Sequence, residues 1–542
     1  MKNLNNRVAL SVVGRYFILR GSDSTRSRDT DFITEVKAGL TVFLALAYIV
    51  GLNAAVMAES GGSCVFSQAT GSDVQCKVDV SYLACKEEFR KDVAVTTSIV
   101  TGIGSVLMGA LANLPIELSC GMRTTVYFVY NMVGYHGSGG ISFHVALSAV
   151  FLEGIVFVLL TLLGVQQWVV RLVPATIKHA TSVGVGLFIC FVGMWEDTGI
   201  GLIGLNATTL VSLSGCTEEN RDPATQQCLQ GIIQSPKTVL GMVGLVAMAV
   251  MSMFRVRGAI LLGIFGISIA SWIRQTQFTY FPSTPLGDAA FSYFSRVFDI
   301  HPITNTLGIL SFDFSSWRVP IALLTMLYVD LINSTGAIFT QASMMDMVDA
   351  DDDFERATLA FLCDGVTTAV GSLFGVPPVI AHFDSSIGIA EGGRTGIVAL
   401  VAGILFLLLA LLTPIFTSFP PWATGPSLIM IGVMMARPVS MIPWEYPGEA
   451  VPAFLTIATI PLSFSVPYGI LAGILSYISI HILSRLITFA TRGSLVPLIP
   501  PDDYDLESNR RKLTFLPLGL PPSKLGLTSV YFSNPTNSIP RV

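Results

Sequence analysis

The sequence predicts an all-α membrane protein that crosses the bilayer many times, and three observations support this class. The chain has 542 residues, of which 52% are hydrophobic and 12% are charged, whereas soluble domains average about 25% charged residues. Apolar runs of roughly 20 residues, the length that a helix needs to cross the hydrocarbon core, recur along it. The N-terminus lacks a cleavable signal pattern, so the first span is expected to direct insertion.

The length criterion predicts about fourteen spans. They lie near 37–58, 91–113, 114–135, 141–164, 176–196, 236–254, 257–274, 318–342, 357–374, 375–391, 395–418, 422–438, 451–466 and 467–490. The third and tenth are interrupted, and the last two are expected to be short or kinked. A division near residue 300 gives two seven-span halves with the interrupted span third in each, which points to an inverted repeat.

The charged and polar ends of the chain predict its orientation. Basic residues are frequent in the N-terminal arm (1–36), in the loop that holds Arg171 and Lys178, and in the tail (491–542). If the span count is even, all of these basic segments lie on the same side of the membrane. Basic residues are more frequent on the cytoplasmic side, so both termini are expected to be cytoplasmic. The tail is rich in Pro, Ser and Asn and is predicted to be disordered. The net charge of −5 and the lack of a basic, aromatic patch argue against a nucleic-acid partner.

Five of the eight cysteines lie in two loops that this orientation places outside. Cys216 and Cys228 are disulfide candidates in one loop, and one pair is expected among Cys64, Cys76 and Cys85 in the other. Connectivity within the three is left open. Neither loop has CxxC spacing, so no metal site is predicted. Asn206 begins a glycosylation sequon on the same side.

The segment 371–396, GSLFGVPPVIAHFDSSIGIAEGGRTG, carries paired prolines, several glycines and a carboxylate, Asp384, between apolar runs. A hydrophobic segment broken by Gly and Pro that holds an acid at membrane depth is typical of a transporter's binding site. A surface loop between two spans is the alternative. Segment three, LPIELSCGMRTTVYFVYNMVG, is broken in a similar way. Backbone groups freed by such breaks can bind a polar solute.

Further polar residues lie within predicted spans. Asp330 and Asn333 are spaced i, i+3 and share a helix face. An intramembrane Asp indicates a functional site, although an internal hydrogen bond or ion pair is the alternative. His382 precedes Asp384 by two residues, so both point to one face of an extended segment. The pair is a candidate proton relay, with simple packing of His382 as the alternative; Glu117 and Glu153 are further candidates.

Several stretches resemble the AzgA-like purine permeases of the nucleobase transporter superfamily. They include TVFLALAYIVGLNAAV (41–56), LYVDLINSTGAI (327–338), SSIGIAEGGRTG (385–396) and PPWATGPSLIMIGVMM (420–435). The resemblance implies a core domain (37–164 and 318–418) and a gate domain (176–274 and 422–490). It also implies proton-coupled uptake of adenine, guanine or hypoxanthine at the plasma membrane, without a cofactor, and suggests a homodimer.

The resemblance also implies that segments three, eight and ten bind the base. On the matching positions, the candidates for substrate binding are Asp330, Asn333, Asp384, Thr125, Arg123, Phe383, Phe128 and Ser385, with Phe383 or Phe128 stacking on the ring. The candidates for proton coupling are Asp330, Asp384 and His382.

The chain departs from the family pattern at four of these positions. In segment three, Thr125 stands where the family usually has Asn, and Arg123 stands where it has Gly. In span eight, Asn333 replaces the usual second acid, and in segment ten Asp384 replaces a Glu. Arg123 adds a permanent positive charge. Either Glu117 or Asp384 is expected to form an ion pair with it.

Two alternative functions follow from these departures. One is an anion transporter that uses Arg123 to bind urate, the xanthine anion or an inorganic anion. The other is a purine receptor or regulator that no longer transports. An enzyme is not expected, because the sequence has no nucleophile elbow, P-loop or zinc-binding helix motif.

Overall fold

The structure is a computed structural model that describes residues 2–20, 28–64, 80–164, 174–196, 198–206, 210–216, 220, 228, 232–256, 258–299, 301–348 and 354–491. Within these ranges, eight helices are long and apolar enough to cross a membrane, and two shorter helices are also apolar. The expected all-α polytopic class is confirmed. The count of fourteen spans stays a prediction, and the C-terminal tail from residue 492 lies outside the described residues.

The first half of the chain contains ten α-helices among the described residues. They are α1 Lys2–Ala9, α2 Val12–Tyr16, α3 Phe32–Leu46, α4 Tyr48–Ala58, α5 Val80–Leu107, α6 Met122–Tyr127, α7 Phe143–Leu162, α8 Ala175–Met194, α9 Pro236–Met253 and α10 Ala259–Trp272. A π-helical turn, Met108–Ala112, extends α5, and another, Phe128–Val133, extends α6. The strands are β1 Leu118–Cys120, β2 Ile203–Asn206 and β3 Leu210–Leu213, and β2 pairs with β3.

The second half continues with nine described α-helices and one strand. They are α11 Pro285–Phe294, α12 Arg318–Met344, α13 Ala357–Leu373, β4 Val379–Ala381, α14 Ser386–Ala390, α15 Ile397–Leu409, α16 Thr413–Phe416, α17 Pro421–Met435, α18 Pro447–Ser463 and α19 Val466–Ala490. A 3₁₀ turn, Phe383–Ser385, precedes α14.

The final predicted span differs from expectation. It forms one continuous helix of 25 residues, α19, and is neither short nor kinked. Its proline, Pro467, lies in the first turn, where the missing N–H has no intrahelical partner to lose. The preceding helix, α18, has 17 residues and contains Pro452 and Pro461, in line with the expectation of a short span.

Glycines bring two helix pairs into backbone contact. On α15, a Cβ added to Gly403 would lie 2.7 Å from the carbonyl oxygen of Gly102 on α5. On α17, a Cβ added to Gly432 would lie 2.4 Å from the carbonyl oxygen of Gly186 on α8. Small residues allow this approach, which is a common means of association between helices in membranes.

The N-terminal arm takes part in the packing. Phe17 and Leu19 are buried and cluster with Ile397 at the start of α15. The carboxylate of Glu35, buried in α3, accepts hydrogen bonds from the backbone N–H groups of Arg394 (2.7 Å) and Thr395 (3.2 Å) and from the Thr395 hydroxyl (2.7 Å). The turn that follows segment ten is therefore fixed to the first long helix.

Candidate functional site

Segments three and ten are both interrupted, as the sequence predicts, and they meet at their breaks. Strands β1 and β4 pair antiparallel, with Leu118 opposite Ala381 and Cys120 opposite Val379. All six strand residues are buried. The pair satisfies backbone groups that the helices leave free, which is the condition for non-helical backbone inside a membrane protein.

Two of the predicted substrate ligands form hydrogen bonds within the protein. The Ser385 hydroxyl accepts a hydrogen bond from the backbone N–H of Glu117 at 3.0 Å, which adds a further link between segments ten and three. The Thr125 hydroxyl donates to the side-chain oxygen of Asn53 at 2.9 Å. Asn53 in turn donates to Thr97 at 2.8 Å. Ser385 and Thr125 are fully buried, and each connects two segments of the protein.

Arg123 has a different partner from the one expected. Its guanidinium donates a hydrogen bond to the side-chain oxygen of Asn333 on α12. Among the described residues it forms no ion pair with Glu117 or Asp384. Arg123 lies in the first turn of α6 and lines the same cleft as Asn333, whose carboxamide is its hydrogen-bond partner.

A narrow cleft lies between α12 and α8. Its lining residues are Arg123, Lys178, Thr181, Ser182, Val185, Tyr328, Val329, Ile332 and Asn333. The sequence predicts that Lys178 belongs to a basic loop, but it lies in the first turn of α8. Lys178 and Ser182 are four residues apart and therefore share one face of α8. This spacing is the signal in the sequence that could have placed Lys178 on a helix.

Three carboxyl groups form a second polar cluster, which we call the acidic cluster: Glu153 on α7, Asp330 on α12 and Asp364 on α13. All three are buried. The Ser334 hydroxyl donates to one oxygen of Asp330 at 3.4 Å. The other Asp330 oxygen and all four oxygens of Glu153 and Asp364 have no hydrogen-bond partner among the described residues.

The three helices that carry the acidic cluster pack against one another. Helices α7 and α13 approach closely beside it, since a Cβ added to Gly154 would lie 2.6 Å from the backbone nitrogen of Ala369. Asp330 and Glu153 are among the candidates that the sequence predicts, whereas Asp364 is not. An acid inside an apolar segment was the signal that could have found it.

Among the other candidates of segment ten, His382 is partly buried and Phe383 is exposed. The ring of His382 lies 3.3 Å from the carbonyl oxygen of Cys120, and its own carbonyl oxygen accepts from Gln341 at 2.9 Å. No hydrogen bond joins His382 to Asp384 among the described residues. Phe383 is 40% exposed and its ring lies near Gly336 on α12, one turn beyond Asn333.

Phe128 does not face the cleft. It is fully buried, and its ring packs edge-on against that of Phe143, with centroids 5.7 Å apart. Of the two aromatic candidates for stacking on a base, only Phe383 is exposed.

Disulfides join Cys64 to Cys85 and Cys216 to Cys228. Cys76 lies outside the described residues. Asn206 is the last residue of β2, and the rest of its sequon, residues 207–208, also lies outside them.

Three relatives share most of this chain. It is 39% identical over 506 residues to the efflux pump notK′ of Aspergillus versicolor, covering 92% of this chain and 88% of that protein. It is 39% identical over 493 residues to a putative xanthine/uracil permease of Schizosaccharomyces pombe, covering 90% and 78%. It is 29% identical over 447 residues to an adenine permease of Escherichia coli, covering 82% and 86%.

The fold is similar to the transmembrane domain of a cyanobacterial bicarbonate transporter, BicA. The TM-score is 0.53 at 14% identity, over 81% of this chain and 97% of that one. Identity this low shows a shared fold alone. Residues 78–472 match the model described as Permease family, and the chain therefore belongs to that family of multi-pass membrane proteins and is not an enzyme.

Proposed function

We propose that this chain is an AzgA-like transporter that moves purine nucleobases across the plasma membrane together with protons. The observation that carries the proposal is the meeting of two broken segments, β1 with β4, beside a polar cleft. Discontinuous segments at corresponding places of two halves form the binding site in many secondary transporters. Relatives named as adenine and xanthine/uracil permeases support a nucleobase as the solute.

The base is bound between segments three, eight and ten. The side chains of Arg123 and Asn333 offer hydrogen bonds to its ring edge. Phe383, exposed near the same helix, supplies an apolar face on which the ring stacks. Asp384 lies in the same 3₁₀ turn as Phe383 and provides a hydrogen-bond acceptor.

The acidic cluster carries the proton. Among the described residues, one hydrogen bond from a protein donor reaches these three buried carboxyl groups, from Ser334 to Asp330, and an unpaired ionised carboxylate is very costly in such surroundings. The cluster is therefore most stable with protons bound. A proton taken up from outside would lower the negative charge of the cluster before the substrate-loaded protein changes state. Raising the external pH is then expected to reduce uptake.

Both termini are placed in the cytoplasm in this proposal, and segments 37–164 and 318–418 form a core that moves against a gate, 176–274 and 422–490. The assignment rests on the basic loops and on the family resemblance. Protease protection of tags at either end tests the orientation, and crosslinking in native membranes tests the homodimer.

The decisive experiment uses the purified full-length chain in proteoliposomes. Counterflow of radiolabelled hypoxanthine, guanine and adenine tests recognition in either transport direction, which matters because one relative is named an efflux pump. A pH gradient that drives protons into the proteoliposomes then tests proton coupling. Counterflow of at least one purine with gradient-driven accumulation is expected. Purine binding without counterflow would refute transport and favour a receptor, whereas counterflow unaffected by the pH gradient would refute proton coupling.

A further inference from the structure

Residues 2–20, which we call the arm segment, contact the ends of long apolar helices. The side-chain oxygen of Asn5 accepts a hydrogen bond from the backbone N–H of Ile33, in the first turn of α3 (3.2 Å). The Tyr16 hydroxyl donates to the carbonyl oxygen of Ala110, in the π-helical turn that ends α5. Both contacts lie where a helix long and apolar enough to cross a membrane begins or ends.

Two further contacts of the arm segment also lie at helix ends. Phe17 and Leu19 cluster with Ile397, the first residue of α15. The guanidinium of Arg356, which immediately precedes α13, donates to the Tyr16 hydroxyl at 3.2 Å and lies over the tyrosine ring. The ends of α3, α5, α13 and α15 therefore mark one boundary of the helix bundle. A segment that contacts all four ends lies at the level of a membrane surface.

The arm segment exposes apolar side chains at this level. Leu10, Val12 and Val13 are neighbours in the sequence and are between 47% and 84% exposed. Contact with water is unfavourable for aliphatic side chains, and burial among lipid chains removes it. Segments that lie in the plane of a membrane surface insert such side chains between the headgroups and the acyl chains. Tyr16, partly exposed beside them, belongs to a residue type that is frequent at this depth.

The apolar surface continues on α3, the helix that follows the arm. Leu40 and Leu44 are exposed and lie three and seven residues after Lys37, so the three share one helix face. On a helix that can cross a membrane, an exposed leucine face is expected to contact lipid. A lysine at the end of such a face extends its ammonium group to the headgroups while its stem stays in apolar surroundings. Lys37 therefore indicates the headgroup level, close to the helix end that the arm segment contacts.

The charge of the arm segment has a single sign. Residues 2–20 include four basic residues and no acidic residue. Arg20 forms an ion pair with Asp29, whereas Arg7 is exposed in the last turn of α1. Basic side chains next to an apolar surface attract the headgroups of anionic lipids. The charge thus favours a membrane surface over an acceptor-poor protein surface as the partner.

We infer that the arm segment is a membrane-surface anchor that binds anionic phospholipid. Leu10, Val12 and Val13 lie among the acyl chains, and Arg7 and Lys37 contact the headgroups. This interaction is separate from the proposed function and does not depend on the transported solute. In the orientation proposed above, the bound leaflet is the cytoplasmic one, which carries the anionic lipids. Because the arm segment also packs on α3, α5 and α15, bound lipid stabilises the folded protein.

Spin labels on the full-length chain test the position of the arm segment. The protein is placed in vesicles of phosphatidylcholine with a minority of phosphatidylserine, and Val12→Cys carries the label. Collision rates are measured with oxygen, which concentrates in lipid, and with a nickel chelate, which stays in water. Leu44→Cys is the lipid-facing reference and Asp313→Cys the aqueous one, and the unsubstituted chain gives the background. We expect the Val12→Cys label to prefer oxygen, as the Leu44→Cys label does.

Two results of this measurement would overturn the anchor. Preference for the nickel chelate, as expected for the Asp313→Cys label, would place the arm segment in water. Low access to both reagents would mean that protein covers the surface, either the C-terminal tail or a second copy of the chain.

Thermal unfolding in detergent, with added phosphatidylserine or phosphatidylcholine, tests recognition of the headgroup. Phosphatidylserine is expected to raise the melting temperature more than phosphatidylcholine. Arg7→Gln and Lys37→Gln should each raise the half-saturating phosphatidylserine concentration about fivefold, which corresponds to about 1 kcal/mol per basic residue. Equal stabilisation by the two lipids would overturn the preference for an anionic headgroup.

Arg318→Gln is the matched control for these charge variants. Arg318 is an exposed arginine and the first residue of α12, a helix of 27 residues. The other end of α12 lies on the side of the arm segment, since the carbonyl oxygen of Met344 accepts from Arg394, shortly before α15 (3.4 Å). Arg318 is thus about 40 Å away along the helix and should not change the phosphatidylserine midpoint. A shift as large as that of Arg7→Gln would overturn the assignment of the headgroup contact to the arm segment.

Discussion

Asp330→Asn is the sharpest test of how this protein couples solute movement to protons. The side chain is 1% exposed, and one of its oxygens accepts from Ser334 at 3.4 Å. Asparagine has nearly the same volume and keeps that acceptor, so the free energy of unfolding should change by less than about 1.5 kcal/mol. The substitution mimics a carboxyl group that holds its proton permanently.

The expected effect on transport is large and selective. One pH unit corresponds to about 1.36 kcal/mol per proton, so a transporter that moves one proton with each base accumulates it about tenfold across such a gradient. Asp330→Asn should abolish this accumulation. Counterflow, which needs no net proton movement, should persist. Glu153→Gln and Asp364→Asn show whether the other members of the acidic cluster share the role.

The assay measures radiolabelled purine inside proteoliposomes with and without the pH gradient, after a thermal unfolding check of each variant. Asp313→Asn, an exposed carboxyl in the loop before α12, is the matched control and should accumulate substrate normally. An Asp330→Asn protein that still accumulates substrate about tenfold under a one-unit gradient would refute the reasoning. If Glu153→Gln and Asp364→Asn did so as well, the acidic cluster would not be the proton site.

Three further predictions concern the contacts that hold the site in place. Ser385→Ala leaves the buried N–H of Glu117 without its acceptor and should lower the free energy of unfolding by about 1–3 kcal/mol, with the KM for substrate unchanged. Glu35→Ala removes the acceptor of three hydrogen bonds at the turn before α15 and should cost at least about 3 kcal/mol. Replacing Cys64 and Cys85 together by Ser opens a loop of sequence separation 21 and should cost about 3 kcal/mol.

Thermal unfolding in detergent measures all three effects. For Glu35, the control is Glu445→Ala, which removes an exposed carboxyl group; equal melting of the two variants would contradict the role of Glu35. A raised KM in Ser385→Ala with unchanged melting would instead support the predicted role of Ser385 in substrate binding. Unchanged melting after loss of Cys64 and Cys85 would mean that the disulfide adds nothing to stability.

The sequence was sufficient to predict the helical class and the two broken segments, because both follow from local composition. Apolar length predicts spans, and the Pro377-Pro378 pair breaks one wherever it lies in the fold. The partners of Arg123, Thr125 and Ser385 could not be predicted, because they depend on which helices meet. Arg123 and Asn333, for example, are 210 positions apart.

Lys178 shows a second limit of the sequence. It lies four residues after Pro174, close to the boundary that hydropathy assigns between loop and span. Whether such a residue belongs to a basic loop or to the first turn of a helix decides its role, and composition does not distinguish the two.

The pairing of β1 with β4 also has a consequence for biosynthesis. The hydrogen bond from Glu117 to Ser385 joins positions that are 268 residues apart. At synthesis rates of about 5–20 residues per second, β4 leaves the ribosome on the order of tens of seconds after β1. During that interval the backbone of residues 118–120 has no β4 to bind. A nascent chain arrested before segment ten should therefore be a preferred target for membrane chaperones and quality-control proteases, and release from them should coincide with the synthesis of β4.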